Sequence, residues 1–590
     1  LLLSFSFLIV LPGILFQMIA LKERSIINLI GGSFLFGFLL FIPMSFISYL
    51  CHFPLYSIII VQVLILLILI LLNKKSFKKK KISVHKKHFF FLLVVGLLSG
   101  LLSMVMGWFP RGDASVHLQV IRNLVGDFVI NQPHYSLLGQ EKIPDHIYDA
   151  YYILLASVQY VTKIELTILW HYSSAVFSFF LPFSIYYLGY NLKRDNRFPV
   201  FLVFSFVFIS ITYNGIMYGT VYDALVYPNR FYLWLMMPVI LGLTTNLLKD
   251  YSKTKLVICA LSVVSFLFIH QSGFLFYFII FGGVLLIVLI KKEYKLFRSI
   301  LILFGLIIIT SLPFLLIKLS GNIQFITSSS DQIWHNHYKF FYLTNDFFAF
   351  SYSKYFISEM WYGIIISLIS LFYILIKKDH TDKFIYYLII PSFFLPFLII
   401  FNPFLVPYLS KLISYVAIVR MFRIPMYFLA FAMFLWFIFK KIDEKYNSKI
   451  IYALMMSLLI IIGFNFFPNF SKNGFKHKLL PISEILNILP DNSIILSDKL
   501  TSSDIATFKL SKHLSIQFNG AIDLIDLKKQ NKFIEDVLHR KITGSHLINE
   551  LKEYGVEYIV VDLNNYNPIF SESSICKIYF SDKYTVYNVL

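Results

Sequence analysis

Charge is scarce in this chain. Only 14% of its 590 residues are Asp, Glu, Lys or Arg, whereas soluble domains carry about a quarter. With 58% of residues hydrophobic and a mean hydropathy of +0.73, too little polar surface exists to coat an aqueous globule. A soluble enzyme is excluded, and so is a disordered or fibrous chain. Cysteine is nearly missing: Cys51, Cys259 and Cys576 are too few and too dispersed for a disulfide framework. There is no Walker-type phosphate loop, no GxGxxG fingerprint and no Asp-x-Asp pair. Direct use of a nucleotide is therefore not expected, no cofactor is called for, and metal-independent chemistry is favoured. The pair His335 and His337, with Asp331 nearby, has a poor spacing for a metal site.

What the chain has in abundance is long apolar runs, 64 Phe and 38 Tyr. A bilayer-spanning helix needs about 17–25 mostly apolar residues. That ruler predicts an α-helical polytopic membrane protein with about fourteen transmembrane helices, twelve as the lower bound. The runs are 1–20, 27–50, 55–72, 89–109, 165–190, 198–213, 230–247, 256–270, 273–290, 299–317, 360–376, 384–401, 426–439 and 450–467. The first run lacks a basic leader and a small-residue cleavage site, so it reads as a helix rather than a signal peptide.

The net charge of +20 supplies the orientation. Basic residues gather in alternate connections: Lys22/Arg24, Lys74 to Lys87, Lys193/Arg194/Arg197, Lys249/Lys253/Lys255, Lys291/Lys292/Lys295/Arg298, Lys377/Lys378/Lys383 and Lys440/Lys441/Lys445/Lys449. These hold more than half of the 52 Lys and Arg, which marks them as cytoplasmic and removes any need for a nucleic-acid partner. The Lys74–Lys87 run is expected to meet anionic lipid headgroups. Two further apolar runs, 147–162 and 403–419, would each invert the later loops if counted alone as spans. Both are read as interfacial or re-entrant.

The opposite side carries long loops at 110–164, 214–229, 318–359 and 402–425, then everything after about 468. Three divisions follow: 1–88, N-terminal helices with a basic loop; 89–467, a transmembrane core; and 468–590, a small extracytoplasmic α/β domain. In the last, helices are expected at 482–489, 524–539 and 545–554, and strands at 493–497, 514–518, 557–562, 575–580 and 584–589. The run Ser497 to Asp504 reads first as a helix start rich in capping residues, second as a glycan-binding loop.

The loop after 89–109 is the most informative: Trp108-Phe-Pro-Arg111-Gly-Asp113-Ala-Ser-Val-His117, continuing to Arg122 and Asp127. Asp113 and His117 share one helix face. Leu118, Ile121, Leu124, Val125 and Phe128 form an apolar stripe beside a polar arc of Asp113, Arg122, Asn123 and Asp127, the pattern of a helix lying in the interface plane. A structural cap is the plainer alternative, since an Asp at a helix start favours the dipole.

With its Arg-Gly-Asp113-x-x-x-His117 run in the first long loop, the layout from about residue 89 onward resembles the GT-C superfamily of integral-membrane glycosyltransferases. The resemblance implies a polyprenyl-phosphate sugar donor, an envelope glycan or lipid acceptor, and Asp113 as the catalytic base. It departs from the oligosaccharyltransferase branch in having no Trp-Trp-Asp motif. Candidate substrate-binding residues are Arg111, His117, Arg122, Asp145, Asp223, Arg230, His270, Arg420 and Arg423, with the last two as the preferred phosphate clamp. A lipid phosphate leaving group calls for such cations. Competing readings are an envelope polysaccharide polymerase or ligase, argued around Arg and His, and a lipid-linked substrate transporter, which would be expected to show repeat symmetry. A plasma membrane, bacterial by composition, is the expected location.

Overall fold

The structure, a computed structural model, describes the chain outside residues 80–81, 107–112, 127–148, 194–196, 213–224, 321–339, 345, 352–367, 374, 377–382, 411–417, 419–426, 444–454, 456, 460–481, 509–511 and 515–526. Among the described residues nine helices are long and apolar enough to cross a membrane. They are α1 (Leu2–Ala20), α2 (Ile26–Leu50), α3 (Leu55–Lys79), α4 (Lys86–Met106), α7 (Leu166–Leu192), α9 (Pro228–Lys249), α11 (Gln271–Ile290), α12 (Tyr294–Ser320) and α13 (Lys383–Ile400). Shorter helices are α5 (Asp113–Gly126), α6 (Ala150–Thr162), α8 (Phe198–Thr212), α10 (Lys253–Val264), α14 (Val406–Ser410) and α15 (Tyr427–Asp443). The expected span 256–270 is shorter than its apolar run, because α10 tightens into a 3₁₀ turn at Ser265–Phe268. The expected spans 360–376 and 450–467 fall largely outside the described residues.

Backbone satisfaction explains local oddities of the bundle. Pro12 has no N–H to give the carbonyl of Leu8, and α1 widens into a π-turn over Ser6–Val10 just before it. The buried Gln62 of α3 supplies the missing donor, its Nε2 lying 2.6 Å from Leu8 O. Asn73 of α3 donates likewise to Leu15 O at 3.2 Å, and Gln17 of α1 reaches Leu29 O at 2.9 Å. Without water, an unmet carbonyl such as that of Leu8 would cost several kcal/mol, and the other two amides find in neighbouring helix carbonyls the partners that lipid would not give them.

Glycine sets how closely α1 meets α2. A Cβ at Gly13 would stand 1.9 Å from Ser33 O, and one at Gly37 would stand 2.0 Å from Ile9 O. The two backbones touch there, in the manner of small-residue crossings in lipid.

The basic turns converge on one end of the bundle. Ser83 N donates to Arg24 O at 2.9 Å, joining the α1–α2 and α3–α4 connections. Lys249 Nζ caps the last carbonyls of α7, at 2.8 Å from Asn191 O and 2.6 Å from Leu192 O. Lys383 Nζ lies 2.8 Å from Glu293, which ties the start of α13 to the α11–α12 turn. Lys193 stands 4.8 Å from the ring centre of Trp436 near the end of α15. α6 fits this arrangement: the run read as re-entrant is a 13-residue helix, too short to cross and buried along most of its length.

The C-terminal segment forms a five-stranded sheet of order β4-β3-β5-β7-β6, where β3 is Ile494–Leu496, β4 Lys512–His513, β5 Tyr558–Asp562, β6 Ile575–Phe580 and β7 Tyr584–Val589. A separate hairpin, β1 (Phe340–Tyr342) with β2 (Phe348–Phe350), follows α12. In the larger sheet β4, β3 and β5 are parallel, β7 adds antiparallel to β5, and β6 pairs antiparallel with β7 at the edge. Strand alternation sorts the core. Ile495 and Val560 face the short helix α16 (Ser483–Leu486) and α17 (Lys499–Phe508), whereas Leu496, Ile559 and Val561 face α18 (Leu527–Leu538) and α19 (Gly544–Glu553). Asp498 caps α17 as the capping-rich run suggested, accepting from Leu500 N at 3.0 Å and Thr501 N at 3.1 Å. Of the expected strand 514–518 all but Leu514 lies outside the described residues, the strand beside it being Lys512–His513, and helix 482–489 is helical only over Ser483–Leu486.

The close crossing makes a direct prediction. Gly13→Ala or Gly37→Ala should lower unfolding stability in detergent by about 1–3 kcal/mol, the range for overpacking. Gly282→Ala, whose added Cβ would meet nothing within 4 Å, should stay within about 0.5 kcal/mol.

Candidate functional site

At the end of the bundle opposite the basic turns, α4 finishes, α7 and α9 begin, and α5 and α6 lie packed across them. Asp149 caps α6 by accepting from Tyr151 N at 2.9 Å, and Glu165 caps α7 by accepting from Thr167 N at 2.8 Å and Ile168 N at 3.0 Å. The approach to α9 is held from two sides. Tyr151 OH donates to Val226 O, and Ser174 Oγ accepts from Leu225 N at 3.1 Å while meeting Ser103 Oγ of α4 at 3.2 Å.

His117 sits inside an aromatic enclosure built from these elements. Its Nδ1 is hydrogen-bonded to the hydroxyl of Tyr152 on α6. Its ring stacks on Trp170 of α7, with centroids 5.7 Å apart and planes 15° from parallel. Tyr227 closes a third side edge-on, at 5.5 Å from His117 and 5.3 Å from Trp170. When Tyr152 donates, the imidazole proton lies on Nε2.

Arg230, buried in the first turn of α9, lies 5.9 Å from the Tyr227 ring. Tyr227 therefore links the imidazole of His117 to a buried guanidinium. His270 belongs to the next such junction along the same end. It caps α11, its Nδ1 accepting from Ser272 N at 3.3 Å, and stacks on Tyr232 of α9 at 5.5 Å. Anions are favoured where helix N-termini and cations converge, so chemically this end can receive a phosphate.

No family model and no curated protein matches the sequence. Solved structures do. The apo structure of ArnT from Cupriavidus metallidurans is 9% identical, with a TM-score of 0.51 over 85% of this chain and 97% of that one. The archaeal oligosaccharyltransferase AglB from Archaeoglobus fulgidus, solved with an inhibitory peptide and a dolichol-phosphate, is 11% identical, with a TM-score of 0.44 over 81% of this chain and 69% of that one. The mycobacterial arabinofuranosyltransferase AftD is 11% identical at a TM-score of 0.45, covering 86% of this chain and 40% of that one. The chain shares its fold with ArnT, a fold of the GT-C type.

Within that GT-C fold, Asp113 is the first residue of α5, and His117 and Arg122 follow on the same helix. His117, Arg230 and His270 lie in the aromatic region just described. Arg111, Asp145, Asp223, Arg420 and Arg423 lie outside the described residues. One expectation for α5 needs correction. The part of its polar arc that the structure describes is covered rather than open in an interface plane: Asn123 is buried and Arg122 donates to Ala506 O at 3.3 Å, because α17 of the C-terminal unit packs on that side. Gln119, unremarked in the sequence, is buried at the same contact. Burial pulls the Arg122 guanidinium down to about 10, against the opposing carboxylates of Glu165 and Asp491. Tyr152, Trp170 and Tyr227 were also missed, since a sequence this rich in aromatics gives no reason to separate three of them from core. Among the described residues no three His, Cys, Asp or Glu side chains are grouped to hold a metal ion.

The support given to Val226 can be measured. Tyr151→Phe leaves a buried carbonyl without its donor and should cost about 1–3 kcal/mol in detergent unfolding. Tyr172→Phe, at an exposed position, should change stability by less than about 0.5 kcal/mol.

Proposed function

We propose that this chain is a membrane glycosyltransferase that moves a sugar from a polyprenyl-phosphate donor to an envelope glycan or lipid on the outer face of a bacterial plasma membrane. The observation that carries the reading is the placement of α5. A helix opened by Asp113 and holding His117 in an aromatic enclosure lies at the end of a GT-C bundle opposite its basic turns. By the positive-inside rule that basic end is cytoplasmic, so the site and the C-terminal α/β unit face outward. The same ArnT has also been solved bound to undecaprenyl phosphate, and AglB with a dolichol-phosphate, which supports a polyprenyl-phosphate carrier as the donor class here. The divisions 1–88, 89–467 and 468–590 then serve as added helices, catalytic core and outer domain.

In the proposed reaction the Asp113 carboxylate takes the proton of an acceptor hydroxyl. That oxygen attacks the anomeric carbon as the bond from carbon to phosphate oxygen breaks, and its electron pair leaves with the lipid phosphate. The products are a glycoside of inverted configuration, polyprenyl phosphate and a protonated carboxyl group. Negative charge grows on the phosphate as the bond breaks, so a fixed cation at that position lowers the barrier. Arg230 is assigned this role together with Arg420 and Arg423, and the N-terminal ends of α7 and α9 add their dipoles. A carboxylate at the membrane surface is partly desolvated, which brings its basicity nearer to what proton abstraction needs. Arg111, Asp145, Asp223 and His270 are proposed to line the acceptor and donor approaches.

The test is mass spectrometry of envelope glycans and lipid-linked sugars from cells carrying the wild type, a deletion, or Asp113→Asn expressed at the wild-type level. Loss of the same sugar in both variants, with its lipid-phosphate form accumulating, is the expected result. A deletion that changes the glycans while Asp113→Asn leaves them intact would refute the assignment and favour the polymerase or transporter reading.

A further inference from the structure

The C-terminal unit packs on the site-bearing helix through α17, and a carbonyl in the last turn of α17 is where side chains of α5 take hold. Such carbonyls have no partner within their own helix and carry its partial negative charge. α17 ends at Phe508, and Ala506 lies in its final turn, completely buried. Two side chains of α5 converge on that single oxygen. Gln119 Nε2 donates to Ala506 O, and Arg122 NH1 lies 3.3 Å from it. Gln119 is 1% exposed, so its amide is fixed by the contact rather than by solvent. α5 is also packed on α6 and α7, which leaves the helix wedged between the bundle and the outer unit.

The geometry points to Gln119 and Arg122 as positioning residues: they dock α5 onto Ala506, so that the C-terminal unit fixes the register of the helix that begins at Asp113. This rests on the glycosyltransferase reading for its consequence, though the docking itself does not. A helix slip or tilt would move its first turn and the His117 enclosure together, because both lie within the same fourteen-residue rod. Reactions are sensitive to displacements of about 1 Å, so loosened docking should reduce turnover without unfolding the chain. Arg122 thus leaves the set of substrate-contacting cations, and the C-terminal unit gains a role within the reaction centre.

The experiment uses the full chain in lipid nanodiscs and reads amide hydrogen exchange in a peptide spanning 114–126. Gln119→Met and Arg122→Met remove the donors while keeping bulk, Arg122→Lys keeps a cationic donor, and the 527–538 peptide of α18 reports whether the outer unit remains folded. Exchange over 114–126 should rise at least tenfold in each Met variant, with 527–538 unchanged, and Arg122→Lys should restore most of the protection. In cells, the glycan product should fall in both Met variants and return in Arg122→Lys. Unchanged exchange in the Gln119→Met/Arg122→Met double variant would overturn the docking. Loosened exchange with full glycan product in all variants would overturn the positioning role. Glycans insensitive to deletion of the whole protein would instead refute the glycosyltransferase reading, with the exchange result standing apart.

Discussion

A bilayer interior offers no water to a backbone carbonyl or a charge, and the organisation of this protein follows from that constraint. Charged side chains are driven to the two ends of the bundle, and the cations collect at one of them. Inside, defects in the helical ladder are met by neighbours, as when Gln62 serves the carbonyl that Pro12 strands. Glycines permit backbones to touch, so that α1 and α2 pack without intervening side chains. The basic turns are linked by Lys249 and Lys383 into a fixed end, and the opposite end is free to carry long connections.

The candidate site lies where that second end is most built up. Caps from Asp149 and Glu165 define where α6 and α7 begin, and those starts place Tyr152 and Trp170 around His117. The Tyr151 and Ser174 contacts hold the segment before α9, which sets Tyr227 beside the imidazole and Arg230 one turn further. An aromatic wall with an embedded imidazole and a buried guanidinium suits a ligand that is part lipid and part phosphate. The C-terminal α/β unit adjoins this region by receiving α5 on the last turn of α17.

Much of the layout was legible in the sequence, because length and hydropathy dictate spans and alternation dictates strands. The nine long helices fall on runs identified by length alone, and the short buried α6 was separable from them because one extra crossing would have reversed every later basic turn. β5, β6 and β7 lie within a residue of their expected limits. The site was less legible. Asp113 and His117 stood out by spacing, but the enclosure depends on Tyr152, Trp170 and Tyr227, which are distant in sequence and indistinguishable from a hundred other aromatics. The pattern of α5 reads as a helix in the interface plane, since nothing local reveals that α17, nearly four hundred residues later, covers Arg122 and Asn123.

The most direct measurement is binding of undecaprenyl phosphate to the purified full chain, followed by native mass spectrometry and by thermal unfolding in detergent. Specific one-to-one binding is predicted, with stabilisation that rises with lipid concentration and falls at least tenfold in apparent affinity for Arg230→Met. A stable, folded protein that takes up undecaprenyl phosphate no better than an uncharged polyprenol of the same length would contradict a lipid-phosphate site at this end of the bundle.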